Sequence, residues 1–243
     1  MSDRFRSRGI RILRDAGKGF TEQMKIYYEP DGCRIENSHI QTWMEQGILS
    51  LFEYAMLEGN LMDTCNFHVD LMREEYRKIY RDLPPDVREE LELVPILFDE
   101  SFRNYTVGYR IREGEVTGQS FYFYPTVLKG HRYGIKGVVD QEKIREQTDR
   151  FAAHVSKGDP VTEKEIKAYM KSVYKFKGIS VHISGNHIGY KLYGRAVQEP
   201  LGRLLHEEMG YCIEKNSRYG EVVLTAQRIQ KGNVTGYNIY YLA

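Results

Sequence analysis

A five-residue strand pattern that occurs twice in the second half of the chain restricts the possible folds more than any other feature. It reads glycine, tyrosine, a polar residue, an aliphatic residue and tyrosine, as GYKLY at 189–193 and GYNIY at 236–240, with FYFY at 121–124 as a partial relative. Each copy follows a strand-like segment and a short turn that contains glycine, which is typical of the second strand of a β-hairpin. The sequence therefore predicts three hairpins, at 104–125, 179–194 and 221–242.

Stretches with a helical spacing of apolar residues separate these hairpins. The predicted helices lie around 140–156, 162–174 and 196–209. Adjacent hairpins pair antiparallel, and their helical connections all have to cover one outer face, so such a sheet curls and can close on itself. The fold class that we predict is α+β, in which antiparallel hairpins alternate with helices in a closed or nearly closed barrel with the helices outside.

The first third of the chain gives a less regular pattern. The elements predicted there are a basic helix at 4–19, a hairpin of 24–28 with 33–37, an amphipathic helix at 39–58, a strand at 64–69, a helix at 71–81 and another that begins at 84–85. No stretch rich in Pro, Gly or Ser interrupts the chain as a linker would. We therefore predict a single domain over residues 1–243.

Composition excludes several classes of protein. The chain has 35 Lys and Arg against 34 Asp and Glu, and this net charge of +1 gives no general attraction to nucleic acid or anionic lipid. No uninterrupted apolar run approaches the ~20 residues that span a bilayer, so we expect no membrane partner. Three widely spaced cysteines fit neither a disulfide framework nor a metal site, and the first residues lack the apolar segment of a secretory signal. These features favour a cytoplasmic location.

Side chains alternate between the two faces of a strand, so the repeated pattern defines two faces of the sheet. Positions such as Phe121, Phe123 and Leu192 would meet the helices. The opposite face would present tyrosine, lysine and asparagine to a lumen, at Tyr122, Tyr124, Lys191, Tyr193, Asn238 and Tyr240. Tyrosine rings can shield a cation, and a lysine can hold a phosphate. Tyrosine is also a common strand former, so a merely solvated face stays open as the other interpretation.

The arrangement resembles the aromatic prenyltransferases of the ABBA type, whose hairpins carry Lys-x-Tyr in the second strand. Lys191-Leu192-Tyr193 is the full match. In that family a closed antiparallel barrel holds an allylic diphosphate and an aromatic acceptor, and the resemblance implies transfer of a prenyl group from the first to the second. It makes Lys191 a diphosphate contact. It makes Tyr124, Tyr193 and Tyr240 a shield for the allyl cation, on neighbouring strands and on one face.

Further substrate contacts follow from the same resemblance. Arg110 and Arg228 lie on the first strands of their hairpins and are candidates for the diphosphate. Tyr122 and Asn238 stand where a full repeat would have lysine, so they too would face the substrates. The expected partners are thus a prenyl diphosphate and an aromatic acceptor, which can be a small molecule or a peptide.

The family also carries a strand carboxylate near the start of the chain that orients or deprotonates the acceptor. Glu36, on the early predicted hairpin, is our candidate for this catalytic role, with Asp70 in reserve. The chain has no Asp-Asp pair and therefore lacks the magnesium clamp of the all-helical prenyl synthases. We expect that no cofactor is required, although magnesium stays possible.

Two other functions stay open at this point. One is a noncatalytic protein that binds a ligand or single-stranded nucleic acid on a concave, tyrosine-rich sheet, with the arginines at 4–14 as an additional contact. Nucleic acid is the less expected partner because the chain as a whole is neutral. The other is a structural or interaction protein with an α+β sandwich. A closed lumen lined by tyrosine would favour the enzyme. An open sheet with exposed Arg and Lys would favour the binding of nucleic acid, and a filled core would favour the structural or interaction protein.

Overall fold

The computed structural model describes residues 4–15, 19–30, 35–57, 61–125, 141–173, 175–195 and 217–242. Its ten strands, in chain order, are β1 (Arg4–Asp15), β2 (Gly19–Glu29), β3 (Leu49–Leu57), β4 (Leu61–Val69), β5 (Phe102–Arg112), β6 (Glu115–Pro125), β7 (Lys175–Ser184), β8 (His187–Arg195), β9 (Val222–Gln230) and β10 (Asn233–Leu242). Each strand pairs antiparallel with the strands before and after it, and β1 pairs with β10. The sheet therefore closes into a ten-stranded barrel, which confirms the predicted fold class.

Five described helices connect the hairpins and cover the barrel. They are α1 (Ser38–Glu45), α2 (Glu74–Arg81), α3 (Pro85–Leu97), α4 (Gln141–Val155) and α5 (Pro160–Ser172), and a short 3₁₀ helix at Ser217–Tyr219 precedes β9. The predicted helix at 196–209 lies outside the described residues. None of the helices in the described part of the chain is both long and apolar enough to cross a bilayer.

The hydrophobic core lies between the helices and the outer face of the barrel. Phe98, directly after α3, packs on Phe102 and Phe176 of the strands and on Phe151 of α4, with ring centroids 4.5–6.3 Å apart. Alternate strand residues supply the rest of this layer, including Phe121, Phe123, Leu192, Tyr237 and Ile239, all at most 3% exposed. The predicted assignment of faces is confirmed, because the apolar residues of the repeated strands point outward to the helices and their partners point into the lumen.

The basic helix predicted at 4–19 is wrong. This segment contains β1, which pairs with β2 on one side and with β10 on the other. Ile10 and Ile12 are buried on its outer face, and Arg14 forms a 2.9 Å ion pair with Glu165 of α5. Alternating arginine and isoleucine is a strand pattern, and the short window also allowed a helix. Only the need for a partner at the free edge of β10 decides between them.

Two further predictions for the first third are wrong. The segment 24–28 lies in β2 and pairs with β1 and β3, so it forms no hairpin with 33–37. The helix predicted at 39–58 ends at Glu45, and β3 begins at Leu49. Gly47 separates the two with a φ of +72°, a left-handed conformation that glycine adopts without strain and that ends many helices.

Candidate active site

The interior of the barrel contains two cavities that meet near its middle. One, of about 360 Å³, lies toward the tight turns of the hairpins β5–β6, β7–β8 and β9–β10. The other, of about 390 Å³, lies toward the opposite end, where β9 begins and β10 ends. We call them the basic cavity and the tyrosine cavity, after the side chains described below. Both are lined by Arg11, Lys25, Thr64, Tyr122 and Lys191, so these side chains stand at the junction.

Six Lys and Arg side chains line the basic cavity: Arg11, Lys25, Arg110, Lys191 and Arg228 from five strands, and Lys231 from the turn between β9 and β10. No Asp or Glu lines it among the described residues. Lys191 and Arg228 are register partners on β8 and β9, which places two like charges directly opposite each other on the inner face. Such a pair is unfavourable unless an anion lies between or beside the charges.

Desolvation and repulsion act together on these cations. Lys191 borders the cavity, but the surrounding barrel removes it from bulk water. Its pKa is therefore held well below the ordinary value of 10.5 by desolvation and then by Arg228, Arg11, Lys25 and Arg110. The same causes, desolvation first, lower the pKa of Arg228 to about 10. The Nε atom of Arg228 has no hydrogen-bond partner among the described residues. The cavity thus offers concentrated positive charge and an available donor, which suits an anion with several charges.

Four tyrosines, each in ring contact with the next, line the tyrosine cavity; we call them the tyrosine ring. Their centroids are 5.8 Å apart for Tyr27 and Tyr240, 6.5 Å for Tyr240 and Tyr193, and 6.2 Å for Tyr193 and Tyr122. Tyr124 lines the same cavity. Desolvation is the first cause that raises the pKa of every one of these phenols, so they stay neutral at physiological pH. Neutral phenol rings present π faces that stabilise a cation.

Glu53 of β3 is the single carboxylate among the described residues that line the tyrosine cavity. Its Oε1 accepts a 2.7 Å hydrogen bond from Nδ2 of Asn66, and its Oε2 lies 3.4 Å from Nε of Arg6. Asn66 in turn accepts a 3.3 Å hydrogen bond from the Tyr122 hydroxyl. Desolvation raises the pKa of Glu53, while Arg6 and Asn66 oppose that shift. The Glu53 carboxylate is therefore held in one orientation beside the tyrosine ring.

A glycine makes this arrangement possible. A Cβ atom on Gly108 of β5 would lie 2.8 Å from Oδ1 of Asn66 and 3.1 Å from Cε2 of Tyr122. The first of these contacts is shorter than real Cβ atoms make, so a larger residue at this position would require the Asn66 amide, and with it the Tyr122 ring, to shift.

The structure brings together eight of the ten predicted site residues. Lumenal lining includes Arg110, Tyr122, Tyr124, Lys191, Tyr193, Arg228, Asn238 and Tyr240. Tyr124, Tyr193 and Tyr240 share the inner face as predicted. They lie on β6, β8 and β10, however, so the prediction of neighbouring strands is wrong, and one strand separates each from the next.

The two predicted carboxylates lie elsewhere. Glu36 is exposed in the segment before α1 rather than on a hairpin strand, and it does not line either cavity. Asp70 is exposed after β4, where its side chain accepts a 3.0 Å hydrogen bond from the backbone N–H of Met72. The wrong hairpin at 24–37 led to Glu36, because β3 rather than that segment supplies the enclosed carboxylate.

Several side chains that line the lumen were not predicted from the sequence, namely Arg11, Lys25, Tyr27, Glu53, Asn66 and His182. Most of them belong to the strands that were assigned as helix or as a wrong hairpin. The alternation of Lys25 with Tyr27, two residues apart, is the same lysine and tyrosine spacing as in 191–193 and could have indicated another inward strand. In the described part of the chain, no three His, Cys, Asp or Glu side chains are grouped so that they could hold a metal ion.

No protein-family model and no curated protein sequence matches this chain. Solved structures do. The chain is similar to AnaPT from Neosartorya fischeri, with a TM-score of 0.59 and 10% identity over 98% of this chain and 78% of that one. A 6-dimethylallyltryptophan synthase from Micromonospora olivasterospora, solved in complex with DMASPP and Trp, gives a TM-score of 0.49 and 9% identity over 97% and 81% of the two chains. The likeness to AnaPT shows that the two chains share a fold, the closed antiparallel barrel that the resemblance to the ABBA-type aromatic prenyltransferases predicted.

Proposed function

We propose that this protein transfers a prenyl group from an allylic diphosphate to an aromatic acceptor. The observation that carries the proposal is the continuity of the two cavities: Lys191 and Tyr122 line both, so a site for a multiply charged anion opens directly onto a ring of tyrosines. An allylic diphosphate has this same division, with its charge at one end and a carbon that becomes cationic at the other.

The basic cavity would hold the diphosphate and assist its departure. As the carbon–oxygen bond breaks, its electron pair stays with the diphosphate, and negative charge grows on the bridging oxygen. Lys191, Arg228 and Arg110 stabilise that charge from fixed positions on the barrel wall. These cations are already assembled before the substrate binds, so the site needs little reorganisation during the reaction.

The tyrosine cavity would hold the allyl cation and the acceptor. The faces of Tyr193 and Tyr240 stabilise the cation and keep water from it. Glu53 accepts the N–H or O–H of the aromatic acceptor, which raises the electron density of its ring, and Asn66 keeps the carboxylate in place. We assign to Glu53 the role that sequence analysis gave to Glu36 or Asp70.

The space available restricts the substrates. A cavity of about 390 Å³ has room for one fused aromatic ring system beside a short prenyl group. The acceptor is thus a small aromatic molecule or a single aromatic side chain of a short peptide. The lumenal cations supply the charge that Mg²⁺ supplies in other prenyl-transferring enzymes, so activity should persist in chelator and Mg²⁺ should at most modulate it. We place this reaction in the cytoplasm, consistent with the few and scattered cysteines.

The alternative of a single-strand nucleic-acid-binding protein depended on an open, concave sheet. The predicted tyrosines Tyr122, Tyr124, Tyr193 and Tyr240 instead line the inside of a closed barrel. A noncatalytic protein that binds a small anionic ligand in the same lumen is the function against which the proposal has to be tested.

The test is a turnover assay with dimethylallyl and geranyl diphosphates, each mixed with a panel of indole and phenol acceptors, with product detected by mass spectrometry. We expect prenylated product from the parent protein and a fall of about 30- to 1000-fold for Lys191→Met, since one charged contact to a departing anion contributes about 2–4 kcal/mol. Lys171→Met, on the exposed surface of α5, is the matched control and should retain full activity. Tight binding of the diphosphates with no product from any acceptor would instead support the noncatalytic binding protein.

A further inference from the structure

Four side chains linked by hydrogen bonds, which we call the hydrogen-bonded series, connect the tyrosine cavity to the basic cavity. The hydroxyl of Tyr193 lies 3.1 Å from Oγ of Ser180, which lies 2.7 Å from Nε2 of His182. Nδ1 of His182 lies 2.6 Å from Oγ of Ser120. Tyr193 lines the tyrosine cavity, whereas His182 and Ser120 line the basic cavity. The hydrogen-bonded series therefore has one end in each cavity.

Three adjacent strands fix the geometry of the hydrogen-bonded series. Ser120 of β6 and His182 of β7 are register partners, and Ser180 lies two residues before His182 on the same face of β7. Ser180 is fully buried, and its own partner on β8 is Lys191, two residues before Tyr193. Side chains on paired strands have little freedom to separate, so the short distances are a property of the sheet rather than of a mobile loop.

His182 has surroundings that suit neither an ion pair nor a metal ligand. Both of its ring nitrogens contact serine hydroxyls, and the charged groups that act on it are Lys191, Arg228, Arg110 and Arg11. Desolvation first, and then these cations, hold its pKa well below 6.5, so the ring is neutral. A neutral imidazole has one N–H donor and one acceptor nitrogen, and can therefore take a proton on one side and release one on the other.

We propose that Tyr193, Ser180, His182 and Ser120 form a relay that carries the proton lost by the acceptor ring to the departed diphosphate. This inference rests on the proposed function, because aromatic substitution releases one proton in the tyrosine cavity, while the departed diphosphate, a basic polyanion, lies in the other. The relay joins the two sites at which the reaction generates and consumes a proton.

The relay starts from the His182 tautomer that carries hydrogen on Nδ1. The C–H bond at the prenylated ring carbon breaks, its electron pair restores the aromatic ring, and the proton goes to Oη of Tyr193. The hydroxyl proton of Tyr193 moves to Ser180, that of Ser180 to Nε2 of His182, the Nδ1 proton to Ser120, and that of Ser120 to a diphosphate oxygen. Every relay side chain ends neutral, His182 as the tautomer with hydrogen on Nε2, and nothing is oxidised or reduced.

Lys191 and Glu53 are competing acceptors for the same proton, since both border the tyrosine cavity. The experiment has to separate these routes. We compare the turnover of an acceptor carrying deuterium at the substituted carbon with that of the unlabelled acceptor, for the parent protein, Ser180→Ala and His182→Gln. Ser172→Ala, which removes a buried hydroxyl on α5 outside the lumen, is the matched control.

For the parent and the control we expect no isotope effect on kcat, because ring deprotonation follows the slower ionisation step. For Ser180→Ala and His182→Gln, kcat should fall about 10- to 100-fold, toward the lower limit of what a positioned proton carrier contributes, and a primary isotope effect should appear. The dissociation constant of the diphosphate, measured by calorimetry, should change less than threefold, since neither side chain carries charge.

A fall in kcat without an isotope effect would show that the serine and histidine only shape the lumen, and would overturn the relay. Parent-like kinetics in Ser180→Ala would also overturn it and leave the proton to Lys191 or Glu53, while the proposed prenyl transfer would stand. Should His182→Gln fail to fold, Ser180→Ala alone decides the question. Absence of product from the parent itself would overturn both the relay and the proposed function.

Discussion

Replacement of Lys191 by methionine should raise the stability of the ligand-free protein while it weakens diphosphate binding. Methionine keeps the length and the apolar stem of lysine but removes the charge opposite Arg228. Two like charges ~6–8 Å apart repel each other by about 2–3 kcal/mol at an effective dielectric constant of ~20. Part of that energy is already avoided because the lowered pKa leaves some Lys191 neutral. A net gain of about 1–2 kcal/mol follows, within the range that apolar replacement of enclosed charges gives elsewhere.

The pH dependence of this gain has a definite sign. The pKa of Lys191 is lower in the folded protein than in the unfolded chain, so between the two values the unfolded state binds more protons. The free energy of unfolding of the parent therefore rises as pH increases through that interval toward ~10.4. The stability advantage of Lys191→Met should therefore be larger at low pH and should shrink as the pH rises toward ~10.4.

The assay is urea unfolding at about pH 6, 7.5 and 9, with and without inorganic pyrophosphate. We expect pyrophosphate to stabilise the parent more than Lys191→Met, because the ligand neutralises a charge that only the parent has. The surface control Lys171→Met should stay within ~0.5 kcal/mol of the parent throughout. A variant that is less stable than the parent at every pH, with an equal response to pyrophosphate, would show that Lys191 serves the fold and would refute the electrostatic argument.

Three other substitutions test separate parts of the structure. Glu53→Gln should lose most prenyl transfer yet unfold at a higher temperature near pH 7, because it removes an enclosed charge. Its stability advantage should vanish below about pH 4, where residue 53 is neutral in the parent as well as in the variant. A variant less stable than the parent near pH 7 would contradict this. Gly108→Ala should cost about 1–3 kcal/mol and reduce turnover, because the Asn66 amide and the Tyr122 ring have to shift. Parent-like melting and kinetics would show that the contact is easily relieved. Glu90→Gln removes the carboxylate that raises the pKa of His154, so it should destabilise by about 0.5–1 kcal/mol near pH 6. This loss should diminish as pH rises through the folded-state pKa of His154, and a loss independent of pH would exclude the ion pair as its cause.

The sequence by itself determined the second half of the barrel, the assignment of its faces and most of the tyrosine ring. Residues such as Tyr193 and Tyr240 lie in long strands with period-two alternation and clear turns, so local pattern and tertiary structure agree. The inward position of Lys191 followed from the same alternation. The first third was different, because the arginine and isoleucine pattern of β1 is also compatible with a helix over so short a window.

Only the closed sheet decided the rest of the site. β1 is a strand because β10 would otherwise present a free edge, and its closure brings Arg11 of the first strand beside Asn238 of the last. Glu53 and His182 are single residues without a motif, and what gives them chemistry is the set of side chains that face them from other strands. Their partners are distant in sequence: Asn66 lies 13 residues from Glu53, and Ser120 lies 62 residues from His182. Strand alternation determines which residues face the lumen, whereas the register between strands determines which of them meet, and register is set by long-range pairing that no local window contains.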